Sequence, residues 1–129
     1  MSTKPIANVL LLEDDPTVAE LNTLILERDG HTVTTYENGR TGLDHFLSSP
    51  NAYDVVILDI VMPGLGGTEV LRGIHGVRPD LPVLLCSGYA PEPSLREVID
   101  GKTVRFLKKP YDVSELLERL HALFEASAR

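Results

Sequence analysis

Short apolar runs recur along the chain at Val9–Leu12, Val55–Leu58 and Val83–Cys86, with two weaker runs at Thr32–Tyr36 and Val104–Leu107. Between consecutive runs, over about twenty residues, apolar positions recur at helical spacing. Strand–helix alternation at this interval builds βαβ units and therefore a parallel sheet. Runs one, three and four are apolar throughout, as strands covered on both faces must be. Runs two and five are mixed: Thr32, Thr34 and Thr35 surround Val33, and Arg105 separates Val104 from Phe106. That is edge-strand character. Right-handed crossovers with strands two and five outermost give the order 2-1-3-4-5.

Each helix has its own start and stop signals. In the first, Val18, Leu21 and Ile25 share a face, Asp15 caps it before Pro16, and Gly30 ends it. Asn38 caps the second, whose inward positions are Leu43, Phe46 and Leu47. The third carries Val70, Leu71 and Ile74 but starts at Gly66-Gly67, a weak cap that predicts a mobile loop. The fourth is the shortest. Pro91 and Pro93 push Ala90 and Glu92 out of the α region, Ser94 and Glu97 form a capping-box pattern, and Gly101 stops the helix. About two turns fit there, with Leu95, Val98 and Ile99 apolar. The fifth follows Val113, Leu116, Leu117, Leu120, Leu123 and Phe124, with an Asp112/Glu115 capping box. The pattern predicts an α/β, flavodoxin-like doubly wound five-stranded parallel sheet with five helices, the fourth short.

Composition narrows the setting. The chain has 129 residues, fitting one domain over 1–129 with a core from about 8 to 124. Twelve basic against 19 acidic side chains give a net charge of −7, which argues against a nucleic-acid or anionic-membrane surface. The longest apolar runs are four residues, too short for a membrane-spanning helix. Met-Ser-Thr-Lys-Pro at the start has no apolar core, so no signal peptide is expected. Cys86 is the only cysteine, excluding an internal disulfide, and a cytoplasmic location is expected. His31, His45, His75 and His121 lie at unrelated spacings, so no zinc site is expected.

In a sheet of this order the site forms at the carboxyl ends of the strands, beside the reversal between strands one and three. Strand one runs into Glu13-Asp14-Asp15, strand three ends at Asp59, strand four at Ser87-Gly88 and strand five at Lys109-Pro110. Glu13, Asp14 and Asp59 as neighbours repel one another. A hard divalent cation such as Mg²⁺ removes that conflict and completes its shell with waters and a phosphate oxygen. Lys109 adds positive charge, the Ser87 hydroxyl can donate to a phosphoryl oxygen, and so can the backbone amides of Ile60 and Gly88. The set fits phosphoryl transfer, with Asp59 as nucleophile. Asp15 is read as a helix cap and Lys108 as solvated, since alternation sends it away from the face of Lys109.

Four segments carry a family resemblance: Leu-Leu-Glu-Asp-Asp-Pro at 11–16, Val-Ile-Leu-Asp-Ile-Val-Met-Pro-Gly at 56–64, Pro-Val-Leu-Leu-Cys-Ser-Gly-Tyr-Ala at 82–90, and Phe-Leu-Lys-Lys-Pro at 106–110. In this order, each at a strand end, they resemble the receiver domain of two-component response regulators. The resemblance implies that Asp59 accepts a phosphoryl group from a phosphohistidine of a partner histidine kinase or histidine phosphotransfer protein. It implies that Asp14 ligates Mg²⁺ directly, Glu13 through water, and Asp59 and the Val61 carbonyl complete the protein ligands. Lys109 and Ser87 would contact the phosphoryl group, Lys109-Pro110 would be a cis peptide, and Phe106 would be the aromatic switch that follows Ser87.

The output expected is a protein contact on the face of helix four, strand five and helix five, shifted by phosphorylation. The chain is expected to catalyse its own phosphorylation and slow dephosphorylation, to turn over no external substrate, and to carry no output domain. Val61 and Tyr89, two residues beyond Asp59 and Ser87, would cover the site against water and prolong the acyl phosphate. The alternative within the family is the receiver of a hybrid histidine kinase. A flavodoxin-like FMN-binding protein is a distant alternative, opposed by three acids where a phosphate loop should follow strand one. An aspartyl-nucleophile phosphohydrolase is another, opposed by Ile60 and Val61 where a general acid should stand.

Overall fold

The computed structural model of the chain describes residues 6–127. Five strands, β1 (Asn8–Leu12), β2 (Thr32–Tyr36), β3 (Val55–Asp59), β4 (Val83–Ser87) and β5 (Val104–Lys108), form one sheet in the order β2-β1-β3-β4-β5. All four neighbouring pairs are parallel, with Leu10 opposite Thr34 and Val56, and Leu85 opposite Leu58 and Phe106. The order and the edge positions of β2 and β5 are those the strand compositions predict.

Alternation along the buried strands divides the core into two layers. Leu10, Leu12, Val56, Leu58, Val83 and Leu85 point to one side, where α2 (Gly39–Ser48) and α3 (Gly67–Val77) deliver Phe46, Val70 and Ile74. Val9, Leu11, Val55, Ile57, Leu84 and Cys86 point to the other, against Leu26 of α1 (Pro16–Arg28) and Leu116, Leu120 and Leu123 of α5 (Val113–Ser127). The helix starts are as expected at α1 and α2: Asp15 accepts from the amides of Thr17 and Val18, and Asn38 from those of Arg40 and Thr41. The Asp112/Glu115 capping box also forms before α5. Among the described residues no helix is long and apolar enough to cross a membrane.

The structure corrects several details. The expected fourth helix of two turns shrinks to one, α4 (Pro93–Arg96), so among the described residues four helices exceed a single turn. Its cap position is Glu92, without a side-chain bond, so the turn starts two residues ahead of the expected cap at Ser94. The physical cause lies downstream. Oδ1 of Asp100 accepts the amides of Lys102, Thr103 and Val104 at 2.8–2.9 Å and turns the chain into β5 early. Partial burial opposes the Asp100 charge, yet these three amides outweigh it and hold the carboxyl below its ordinary range.

In α1 the buried stripe is Ala19, Asn22 and Leu26, and Leu21 is 55% exposed. The helix is therefore rotated by about one position from the apolar face, about 100°. Leu47 of α2 is exposed while Leu43 and Phe46 are buried, and Val98 and Val113 are exposed at the ends of their segments. Gly67, expected only as a weak cap, has a specific packing role: a Cβ there would meet Ile60 Cα at 2.5 Å and the Asp59 carbonyl oxygen at 2.8 Å. Gly67→Ala should destabilise the fold by about 1–3 kcal/mol through overpacking at the end of β3. Urea denaturation checks this, and an unchanged midpoint would contradict it.

Candidate functional site

The carboxyl ends of the three inner strands and of β5 converge as expected. Glu13 follows β1 directly and is almost wholly buried, as are Asp59 at the end of β3 and Ser87 at the end of β4. Asp14 is exposed, yet its carboxylate lies with those of Glu13 and Asp59, the ligand atoms all within 4.8 Å of one another. Asp15 stands outside this group and caps α1.

Lys109 enters from the loop after β5, crossing the sheet end to reach residues far away in sequence. Its Nζ donates to Glu13 Oε1 at 2.6 Å and to Asp59 Oδ2 at 3.0 Å. Its backbone N–H donates to the Ser87 carbonyl at 2.8 Å, tying the loop to β4. Lys109-Pro110 is a cis peptide, as expected, and Lys108 is exposed. Three carboxylates against one ammonium leave the site formally anionic.

Burial pushes the Glu13 carboxyl up to about 7, with the Asp59 charge adding to the rise and the Lys109 bond only partly offsetting it. Lys109 is shifted upward as well: burial works against its charge, but the hydrogen bonds to both carboxylates prevail. Such a cluster is starved of positive charge. Its donor set, carboxylate oxygens with no competing imidazole or thiolate among them, is the chemistry that suits a small hard divalent cation.

The backbone amides require one correction. The strand end predicts that the Ile60 N–H faces the site, but it donates to the Cys86 carbonyl at 3.0 Å and extends the sheet ladder. The amide that faces the acid is that of Val61, whose N–H donates to Asp59 Oδ1 at 3.2 Å. One more residue of β-pairing moves the free amide one position along, which the sequence pattern does not reveal. Ser87 Oγ accepts the Tyr89 N–H at 3.1 Å, and Gly88 is exposed beside it. Val61 and Tyr89 are 61% and 76% exposed, and both line a cavity of about 250 Å³ with Ile60, Ser87 and Leu95. Phe106 is half-buried against the layer containing Leu85 and Val104, and its carbonyl accepts from Arg119 at 2.9 Å.

Two features escaped the sequence. Asp29, His31 and His121 meet below the sheet, where Asp29 Oδ2 lies 3.0 Å from His31 Nε2 and 2.9 Å from His121 Nε2. His31 Nδ1 accepts the Ala7 N–H, so Nε2 carries the ring proton and donates to Asp29. That tautomer leaves Nε2 no lone pair for a metal, and the cluster is a clamp between chain segments. The second feature is a hydrogen bond from Asn22 Nδ2 to Tyr111 Oη.

Comparison with known proteins agrees with this geometry. The response regulator receiver domain family matches residues 9–121. The uncharacterized transcriptional regulatory protein YkoG of Bacillus subtilis is 34% identical over 115 residues, covering 89% of this chain and 50% of that protein. A response regulator receiver domain protein (CheY-like) of Methanospirillum hungatei superposes with a TM-score of 0.82 at 25% identity, over 96% of this chain and 98% of the other. The receiver domain of the hybrid histidine kinase CckA superposes at 0.75 with 28% identity, over 90% and 98% of the two chains. The chain spans about half the length of the curated relatives it matches.

Proposed function

The chain belongs to the response regulator receiver domain family, and from that premise we propose that it is a phosphoacceptor switch whose acceptor is Asp59. The observation that carries this reading is the buried Asp59 carboxylate with Lys109 Nζ 3.0 Å from Oδ2, the Val61 amide 3.2 Å from Oδ1, and two further acids beside it. Glu13, Asp14 and Asp59, with the Val61 carbonyl, would hold Mg²⁺. Bound there, the ion supplies charge neutralisation for the acids and for the incoming phosphoryl oxygens.

The chain's own groups do the rest. An Asp59 carboxylate oxygen attacks phosphorus, the new O–P bond forms, and the N–P bond of the donor phosphohistidine breaks. Its electron pair returns to the imidazole, which takes up a proton. Lys109 attracts the phosphoryl oxygens and the Val61 N–H turns from Asp59 towards one of them, while Ser87 and the Gly88 amide donate to the others. The donor is a histidine kinase or histidine phosphotransfer protein. The chain catalyses this self-modification and turns over no external substrate.

Phosphorylation shifts the face of α4, β5 and α5, where the one-turn α4 and half-buried Phe106 offer a weakly held segment, and an unnamed downstream protein reads the change. The likeness to the CckA receiver supports a second reading with the same Asp59 chemistry, in which this chain is the receiver of a hybrid histidine kinase.

Borohydride reduction tests the acceptor. An aspartyl phosphate is reduced to homoserine, and peptide mapping should place it at position 59; homoserine elsewhere overturns the assignment. The apolar cover makes a further expectation. Val61 and Tyr89 offer neither a carboxylate nor an imidazole, and polar replacements would guide an attacking water. The double variant Val61→Asn/Tyr89→Glu should lose its phosphoryl group about tenfold faster, the low end of acid–base contributions being about a hundredfold. Timed decay of the phosphoprotein measures this, and an unchanged lifetime would contradict it.

A further inference from the structure

Asn22 is 2% exposed, the one polar residue in the buried stripe of α1, with Ala19 and Leu26 on either side. An amide in that place is costly unless its hydrogen bonds are made. Its Nδ2 donates to Tyr111 Oη at 2.6 Å, across 89 positions of sequence. Tyr111 stands two residues after Lys109, and its ring packs against the core layer of α1 and α5. A phenylalanine would serve that packing equally well, so the hydroxyl and the amide that meets it need another reason.

The reason lies in what the two residues connect. Asn22 belongs to α1, whose start follows immediately on Glu13, Asp14 and Asp15. Tyr111 belongs to the loop that carries Lys109. The bond therefore ties the acid-bearing segment to the cation-bearing one. On the β4 side the loop is already held by the Lys109 N–H on the Ser87 carbonyl. On the α1 side it borders a cavity of about 440 Å³ lined by Val18, Leu21, Asn22, Lys109, Pro110 and Tyr111. With open space there, the Asn22 bond is a polar tether on that flank, and the Tyr111 hydroxyl also meets the buried Cys86 thiol of β4. Burial raises the Tyr111 phenol, so it remains protonated at neutral pH.

We propose that the Asn22–Tyr111 hydrogen bond positions Lys109, setting its ammonium between Glu13 and Asp59 at the height phosphoryl transfer requires. The proposal rests on the reading of Asp59 as phosphoacceptor. Tyr111 and Asn22 act through Lys109 and touch no reacting atom, so rate must be separated from stability. Tyr111→Phe keeps the ring but leaves the Asn22 amide buried and unpaired. Asn22→Leu/Tyr111→Phe removes both polar groups at similar volume, a change that restores stability when two partners leave together.

The measurement is phosphoprotein formation from a small phosphodonor with Mg²⁺, read by intact mass per folded molecule, with thermal midpoints on the same samples. Both variants should be slowed about tenfold, as for a displacement smaller than the ~1 Å that can cost about a hundredfold. The midpoint should fall only in Tyr111→Phe. In metal-free protein the amide resonances of Lys109 and Asp59 should shift in both. A double variant with restored midpoint and a rate within about threefold of wild type overturns the proposal. If the double variant does not fold, Tyr111→Phe decides on the same criterion. Wild-type protein that takes no phosphoryl group refutes the Asp59 reading itself, whereas wild-type acceptance with unslowed variants refutes the tether alone.

Discussion

Lys109→Ala is expected to accept a phosphoryl group about a hundred- to a thousandfold more slowly than the parent protein. Its ammonium is the only side-chain cation paired with the carboxylates of the site among the described residues, 2.6 Å from Glu13 and 3.0 Å from Asp59. Any phosphodonor brings further negative charge into the same space. Without Lys109 the approach is repulsive and the developing charge on the transferred group loses a fixed partner. The loss of stability should be smaller than the loss of rate. Breaking a buried ion pair costs about 3–5 kcal/mol when the remaining charge is trapped, but Glu13, pushed by burial to about 7, can take up a proton instead. Rates read by intact mass, beside a urea midpoint for folding, separate the two effects. A variant phosphorylated as fast as wild type would remove Lys109 from the mechanism.

Asp14→Asn should abolish most of the stabilisation that Mg²⁺ confers. A ligand that binds only the folded state at about a hundred times its dissociation constant adds about 2.7 kcal/mol, and the wild-type thermal midpoint should climb accordingly as Mg²⁺ is added. Asp14 is the exposed member of the acidic trio, so it can turn towards an ion without disturbing the core. In metal-free protein the same substitution removes one of three mutually repelling charges, and the variant should be at least as stable as wild type. Opposite effects with and without Mg²⁺ distinguish a cation site from a structural carboxylate. A variant whose midpoint follows Mg²⁺ as wild type does would show that Asp14 is not a ligand.

Most of this architecture is legible along the chain, and the reasons for success and failure are physical. The strands β1, β3 and β4 are covered on both faces, so their apolar runs stand out and their carboxyl ends can be read off directly. Glu13, Asp14, Asp59, Ser87 and Lys109 are brought together by topology, and topology follows from strand character. Element capping is local, so Asp15, Asn38 and Asp112 were recognisable from neighbours alone.

What escaped depends on contacts between distant segments. Periodicity places Leu21 in the core because it is apolar, whereas the real stripe passes through Asn22, whose burial makes sense only once Tyr111 is seen beside it. The Ile60 amide is taken up because the sheet ladder runs on to Cys86, a long-range pairing that local pattern does not encode. The length of α4 is decided by the carboxylate of Asp100 collecting three downstream amides, a competition that apolar spacing cannot register. His31 and His121, 90 positions apart, share Asp29 only because α5 returns beside α1.

The central claim is that Asp59 is the phosphoacceptor, and intact mass after incubation with a small phosphodonor and Mg²⁺ tests it most directly. Wild-type protein should gain the mass of one phosphoryl group, and Asp59→Ala, under the same conditions, should gain none. An Asp59→Ala protein that still gains a phosphoryl group at the wild-type rate would contradict the assignment.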